Sequence, residues 1–226
     1  MQHTIKAHIK EITGIINNAG STIPHHRSAF KAGFSFSTLT FEEQLAIWDH
    51  IWKHHDDYRM RIYAFFFLEQ HMKNMAGLRL IWETAVHWQE DANSWELCDS
   101  LSKIYTRALE IKPDVVYAQL KKWNKDANLW KRRQSLVSLL YYSRTKKIYL
   151  PFEKISALVL PLLTDKEYYV QKGAGWTLLE MHNVYPRETM NLLEKNIRNI
   201  SPIAFTIAME KMTATEKDAL KLIRKK

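Results

Sequence analysis

Glycine and proline are scarce in this chain, 6 of each in 226 residues. Sheet-rich folds turn often and use these two residues to do so, so the shortage argues for helices joined by short connections. Cysteine is nearly absent. The single Cys98 excludes an intrachain disulfide and any multi-cysteine metal site, and it suits a reducing compartment, so a cytoplasmic protein is expected. No segment approaches the ~18 uninterrupted apolar residues of a membrane span. The opening Met1-Gln2-His3-Thr4 carries no basic run followed by an apolar stretch, so no secretory signal is expected. The adjacent pairs His25-His26 and His54-His55 do not supply two ligands on one helix face, and no Cys or Glu set completes a site. We expect exposed histidines, no metal and no cofactor.

What the chain does have is apolar residues and positive charge. Hydrophobic residues make up 46%, enough for a sizeable core and too many for disorder. Formal net charge is +9 and the pI about 9.5, an excess that attracts polyanions. Nucleic acid is the first candidate and an anionic membrane the second. A solvated basic surface without a dedicated partner is the plain alternative. No helix joins a dense basic face to an unbroken apolar one, which speaks against the membrane.

Apolar residues recur with a period near 3.6 through most of the chain. This spacing predicts helices over 41–52, 59–72, 77–88, 94–111, 114–124, 129–142, 152–163, 167–182, 187–197, 201–212 and 214–224, with a loop over 19–24 and no clear assignment for 25–38. Asp56, Asp91 and Asp126 stand 35 residues apart and Asp165 follows 39 later. Two copies share letters, Asp91-Ala-Asn-Ser-Trp95 and Asp126-Ala-Asn-Leu-Trp130. Each aspartate is expected to N-cap the helix that follows it. A helical pair recurring at this interval is the signature of a HEAT-like solenoid. The expected fold is therefore all-α, a right-handed superhelical solenoid of HEAT-like helical pairs with a concave basic groove. It is read as one domain over 1–226, with diverged N-terminal helices over 1–38 and helical repeats over 39–226.

The second helix of each pair can be read by face. Counted from its aspartate, positions +6, +10 and +13 form an apolar stripe that should be core: Leu97, Leu101 and Ile104, then Leu136 and Leu139, then Leu178. Positions +4, +8 and +11, two residues earlier, lie on the far side of the helix, ~200° away, and +7 is read with them. That side carries Trp95 and Asp99 in one repeat, Trp130 and Arg133 in the next, and Lys172 and Trp176 in the last. Large rings are normally buried, so tryptophans grouped on an outward face beside a carboxylate suggest a binding cleft. Trp130 fits equally well as a plug between repeats. The basic end, Lys221 to Lys226, reads as a solvated helix terminus.

The segments Ser94-Trp-Glu-Leu-Cys-Asp99, Trp130-Lys-Arg-Arg133 and Glu167-Tyr-Tyr-Val-Gln-Lys-Gly-Ala-Gly-Trp176 resemble motifs of the bacterial DNA alkylation repair glycosylases built from HEAT-like repeats, the AlkD type. The resemblance covers about residues 56–212. It implies an active cleft made of Trp95, Asp99, Arg133 and Trp176, and hydrolysis of the N-glycosidic bond of positively charged N3- or N7-alkylated purines in duplex DNA without a deep base pocket. Asp99 would stabilise the developing sugar cation and orient a water. Trp95 and Trp176 would pack beside the lesion, and Arg133 would hold a phosphate. Arg132, Lys131 and Lys172 would add backbone attraction. A monomer is expected. The sequence departs from the family pattern at Ser94, Glu96, Cys98 and Leu179, and Ala29-Phe30-Lys31 matches the expected N-terminal segment only loosely. A catalytically inactive DNA-binding paralogue and a protein-interaction scaffold are the alternative uses of the same fold.

Overall fold

Helix α4 (Tyr58–His71) is apolar on every side, with each residue from Met60 to Leu68 buried. A helix of that kind needs neighbours all round it. It has them in α1 (Gln2–Asn18), α2 (Ile23–Lys31), α3 (Phe41–His54) and α5 (Leu78–Trp88), each of which packs against it. The computed structural model describes residues 2–72 and 78–225, and among them the fold is all-α, built of repeated helical pairs without strands. The chain divides into two compact units, Met1–Ala92 and Asn93–Lys226.

In the first unit, Trp48, Trp52 and Trp88 are fully buried. Trp52 and Trp88 stack at 4.5 Å, and both indole N–H groups are satisfied, Trp52 Nε1 donating to the Trp88 carbonyl and Trp88 Nε1 to Asp49. The first half of the 25–38 stretch that the periodicity left open belongs to α2, which begins at Ile23 under a Thr22 cap and has Pro24 in its first turn. The expected loop over 19–24 is accordingly two residues shorter. His26 is buried against Tyr63, contrary to the exposed histidines expected, because α2 turns that face onto α4. The expected helix start at 77 lies outside the described residues.

The second unit comprises α6 (Trp95–Ile111), α7 (Pro113–Trp123), α8 (Leu129–Val137), α9 (Phe152–Val159), α10 (Tyr168–Val184), α11 (Pro186–Asn196), α12 (Pro202–Ala208) and α13 (Ala214–Lys225). Its centre is α10, which packs against α8, α9, α11 and α12. The expected core stripe of Leu97, Leu101, Ile104, Leu136, Leu139 and Leu178 is buried throughout. Three helices, α8, α9 and α12, are shorter than periodicity suggests. After Val137 the chain leaves α8 for turns and a short 3-10 segment at Ser143–Thr145, since Thr106 takes the Ser138 carbonyl and Glu180 takes both the N–H and the hydroxyl of Ser143. After Val159 another 3-10 segment, Leu160–Leu162, accommodates Pro161. Arg224 is not merely solvated: it lies over the Phe205 ring and donates to the Ile200 carbonyl, fastening α13.

The four spaced aspartates do not themselves cap the helices. The caps lie one to three residues later, at Asp57, Ser94 and Asn128, while Glu167 occupies that position of α10 without a side-chain bond. The aspartates instead shape the loops. Asp126 and Asp165 each accept the N–H two residues on. They also anchor arginines: buried Arg61 donates to the Trp52 and Asp91 carbonyls and to Asp56, and partly buried Arg132 donates to Asp165 and to the Asp126 and Ala127 carbonyls. The repeat interval is thus a loop-to-loop tie, in which an arginine early in one helix holds two successive loops.

Candidate active site

Trp95 is the first residue of α6 and Asp99 lies one turn further, so both stand on the same face. Ser94 sets the start of that helix by accepting the Leu97 N–H. Arg133 on α8 and Lys172 and Trp176 on α10 meet them across a cavity of about 260 Å³, completed by Tyr169, Ile207 and Glu210. Five of the six expected site residues, Trp95, Asp99, Arg133, Lys172 and Trp176, therefore line one cavity within the second unit. The sixth, Arg132, does not: its guanidinium is committed to Asp165 and the loop carbonyls. Trp130 is also outside the lining. Its ring packs on Tyr169 at 5.0 Å and its carbonyl receives the Cys98 thiol, so it joins helices.

Asp99 is held from one side. Arg133 Nη2 donates to Asp99 Oδ1 at 2.8 Å, and Nη1 donates to the Tyr169 carbonyl at 2.9 Å. Oδ2 of Asp99 has no hydrogen-bond partner among the described residues, and the side chain stays 28% exposed. Burial pushes the Asp99 carboxyl above its ordinary range and outweighs the pull of Arg133 and the smaller pull of Lys172; Glu96 adds a further upward push. Arg133 is buried and two of its three nitrogens are engaged inside the protein, so the phosphate contact expected of it has no free fork to use.

The aromatic walls differ. Trp95 is 45% exposed, an unusual state for tryptophan. Trp176 is half-buried and held by Tyr141 and Tyr142, with ring centroids 5.6 and 6.2 Å away. Tyr142 is exposed and has φ 49°, a left-handed backbone that a bulky residue adopts only when its surroundings impose it. The Glu180 grip on the next residue, Ser143, supplies that constraint. Sequence periodicity missed Tyr142 because it placed the residue at the end of an uninterrupted helix.

The glycines between Lys172 and Trp176 are explained by close approaches. A Cβ on Gly175 would lie 2.7 Å from the Ala204 carbonyl oxygen and 2.9 Å from Ile207 Cβ, so glycine lets α12 close against α10. A Cβ on Gly173 would lie 3.3 Å from Arg133 Cγ, so glycine leaves the Arg133 stem its channel.

The cavity is balanced in charge, with Arg133 and Lys172 facing Asp99 and Glu210. The positive charge expected of the groove is therefore not gathered in this cavity. Among the described residues no three His, Cys, Asp or Glu side chains gather to hold a metal. His50 and His54, one turn apart on α3, stack on each other without a third ligand. Among the same residues no helix is long and apolar enough to cross a membrane.

A helical-repeat fold with a carboxylate set between tryptophans defines the class of protein, and the comparisons narrow it. The chain belongs to the DNA alkylation repair enzyme family, whose model matches residues 2–212. Solved structures agree in fold. AlkD2 from Streptococcus mutans superposes with a TM-score of 0.63 at 17% identity, covering 91% of this chain and 99% of that one. An Enterococcus faecalis protein described as a predicted DNA alkylation repair enzyme superposes with a TM-score of 0.70 at 16% identity, covering 92% and 96%. No curated protein matches.

Proposed function

We propose that this protein is a DNA glycosylase that hydrolyses the N-glycosidic bond of N3- and N7-alkylated purines in duplex DNA. One observation carries the reading: Asp99 lies in a tryptophan-walled cavity with one oxygen fastened by Arg133 and the other without a partner among the described residues. An alkylated purine already bears positive charge. As the C1′–N bond breaks, its electron pair neutralises the departing base and positive charge moves to the sugar. A fixed carboxylate beside that sugar stabilises the developing cation. Water then adds to C1′, and Asp99 Oδ2 accepts its proton. Base departure needs no protonating acid, so a single carboxylate, Asp99, oriented by Arg133, serves the sugar.

Trp95 and Trp176 supply apolar faces and cation–π attraction to the sugar or base. The cavity, about 260 Å³, is smaller than the ~300–1,000 Å³ of most small-molecule pockets, in keeping with a lesion that is not swung fully into the protein. Arg133 acts here as a positioning residue through Asp99, not as a phosphate clamp. Lys172, whose ammonium lies over the Tyr168 ring, is the lining cation left to meet the strand. The protein would act as a cytoplasmic monomer without a cofactor.

The test is release of 7-methylguanine from methylated duplex by the wild type and Asp99→Asn. The wild type should release it. The variant should lose release by ~10²-fold or more while still binding DNA, the scale on which removal of a transition-state charge partner acts. Equal rates would defeat the assignment of Asp99. Binding without release by the wild type would make the protein a non-catalytic DNA binder.

A further inference from the structure

The catalytic cavity does not hold the positive charge that the composition promised. A second cavity in the same unit does. It measures about 500 Å³ and is lined by Lys103, Arg107 and Glu110 of α6, by Thr106 between them, and by Tyr141, Tyr142, Thr145, Lys146 and Lys147 of the loop after α8. Four cations face one carboxylate. That carboxylate, Glu110, already accepts from Arg107 and from the Lys147 N–H.

Lys146 is the unusual member. Its side chain belongs to a residue only 9% exposed, and no hydrogen bond or ion pair reaches its ammonium among the described residues. An ammonium removed from water without a partner is costly, and the cost shows: burial drives the Lys146 pKa down to about 8, with Glu110 pulling only partly the other way. At neutral pH it is still mostly charged. Asp114, Tyr149 and Lys154 face it from the adjoining cavity, and Asp114 is taken up by Lys154. An anion of two or three oxygens suits this arrangement, with Arg107 and Lys147 beside Lys146 to share it.

The two cavities lie along one helix. Trp95, Asp99, Lys103, Thr106 and Glu110 fall on a single face of α6, and Arg107 is ~12 Å along the axis from Asp99 at 1.5 Å per residue. That is about the width of a DNA major groove. Tyr142 lines the second cavity and touches Trp176 of the first, so one aromatic group joins them.

We propose that the cavity around Lys146 is a phosphate-binding subsite that seats a backbone phosphate of the nucleic acid whose lesion lies at Asp99. This rests on the DNA-binding part of the function proposed above, but not on catalysis. The same chemistry would also admit free phosphate, so the experiment separates the two sources.

The affinity of the full chain for undamaged duplex is measured by fluorescence anisotropy over a range of salt concentrations, for the wild type, Lys146→Gln, Lys146→Arg and Asp99→Asn. One lost phosphate contact lowers the slope of log K against log salt by ~0.9. Lys146→Gln should show that loss with several-fold weaker binding, Lys146→Arg should recover most of it, and Asp99→Asn should leave the slope unchanged. Circular dichroism confirms that each variant is folded. Inorganic phosphate is titrated in parallel by calorimetry. An unchanged slope in folded Lys146→Gln overturns the proposal, and if inorganic phosphate nonetheless binds the wild type, the cavity is a free-anion site. If the slope falls while the wild type releases no methylated base, the glycosylase reading fails and the subsite stands.

Discussion

Replacing Arg133 by methionine separates two roles that the sequence could not distinguish. In the structure Arg133 donates to Asp99 at 2.8 Å and is buried. A hydrogen bond of this kind to a charged group is worth ~1.5–3 kcal/mol, and it favours only the ionised carboxyl. Its loss should therefore raise the Asp99 pKa. The direction adds to the upward push that burial already exerts. Catalysis as proposed needs Asp99 ionised, so the acid limb of the base-release rate should move to higher pH, with activity retained on the alkaline side. The salt dependence of DNA binding should stay as in the wild type. A carbon-13 titration of the Asp99 carboxyl follows the same shift independently of turnover. An unmoved acid limb together with a salt slope reduced by ~0.9 would show that Arg133 meets a phosphate, and would refute this argument.

Three further substitutions test the frame around the site. Gly175→Ala drives a methyl group against the Ala204 backbone and should destabilise by ~1–3 kcal/mol. That corresponds to a melting temperature lower by several degrees, and an unchanged melt would show that α12 does not depend on this approach. Gly14→Ala is the contrasting case: nothing lies within 4 Å of a Cβ there, so helix propensity alone should raise stability by ~1 kcal/mol or slightly less. Arg132→Met leaves the buried Asp165 carboxylate and two loop carbonyls without their donor, and denaturant unfolding should show a loss of ~3 kcal/mol. A stable Arg132→Met variant with weakened DNA binding would instead return Arg132 to the interface.

Much of this protein can be read directly from its letters. Scarce glycine and proline with a 3.6 period specify helices because those signals are local, carried by each segment whatever it packs against. The core stripe of Leu97, Leu101 and Ile104, and the outward face bearing Trp95 and Asp99, follow from the same geometry, since a helix fixes which side chains share a side. The aspartate interval likewise marked the repeat, although these residues serve the loops and not the helix ends.

Tertiary structure decided the rest, because it turns on what lies across a gap. Two adjacent arginines, Arg132 and Arg133, look alike in sequence, yet one holds loops and the other holds Asp99, a difference made by ~100° of helix rotation. The end of α8 depended on Thr106 and Glu180, far away in the chain. The net charge indicated a polyanion but not where it would bind. Only the packing of α6 against the loop after α8 gathered Lys103, Arg107, Lys146 and Lys147 into one cavity and left the cavity around Asp99 balanced.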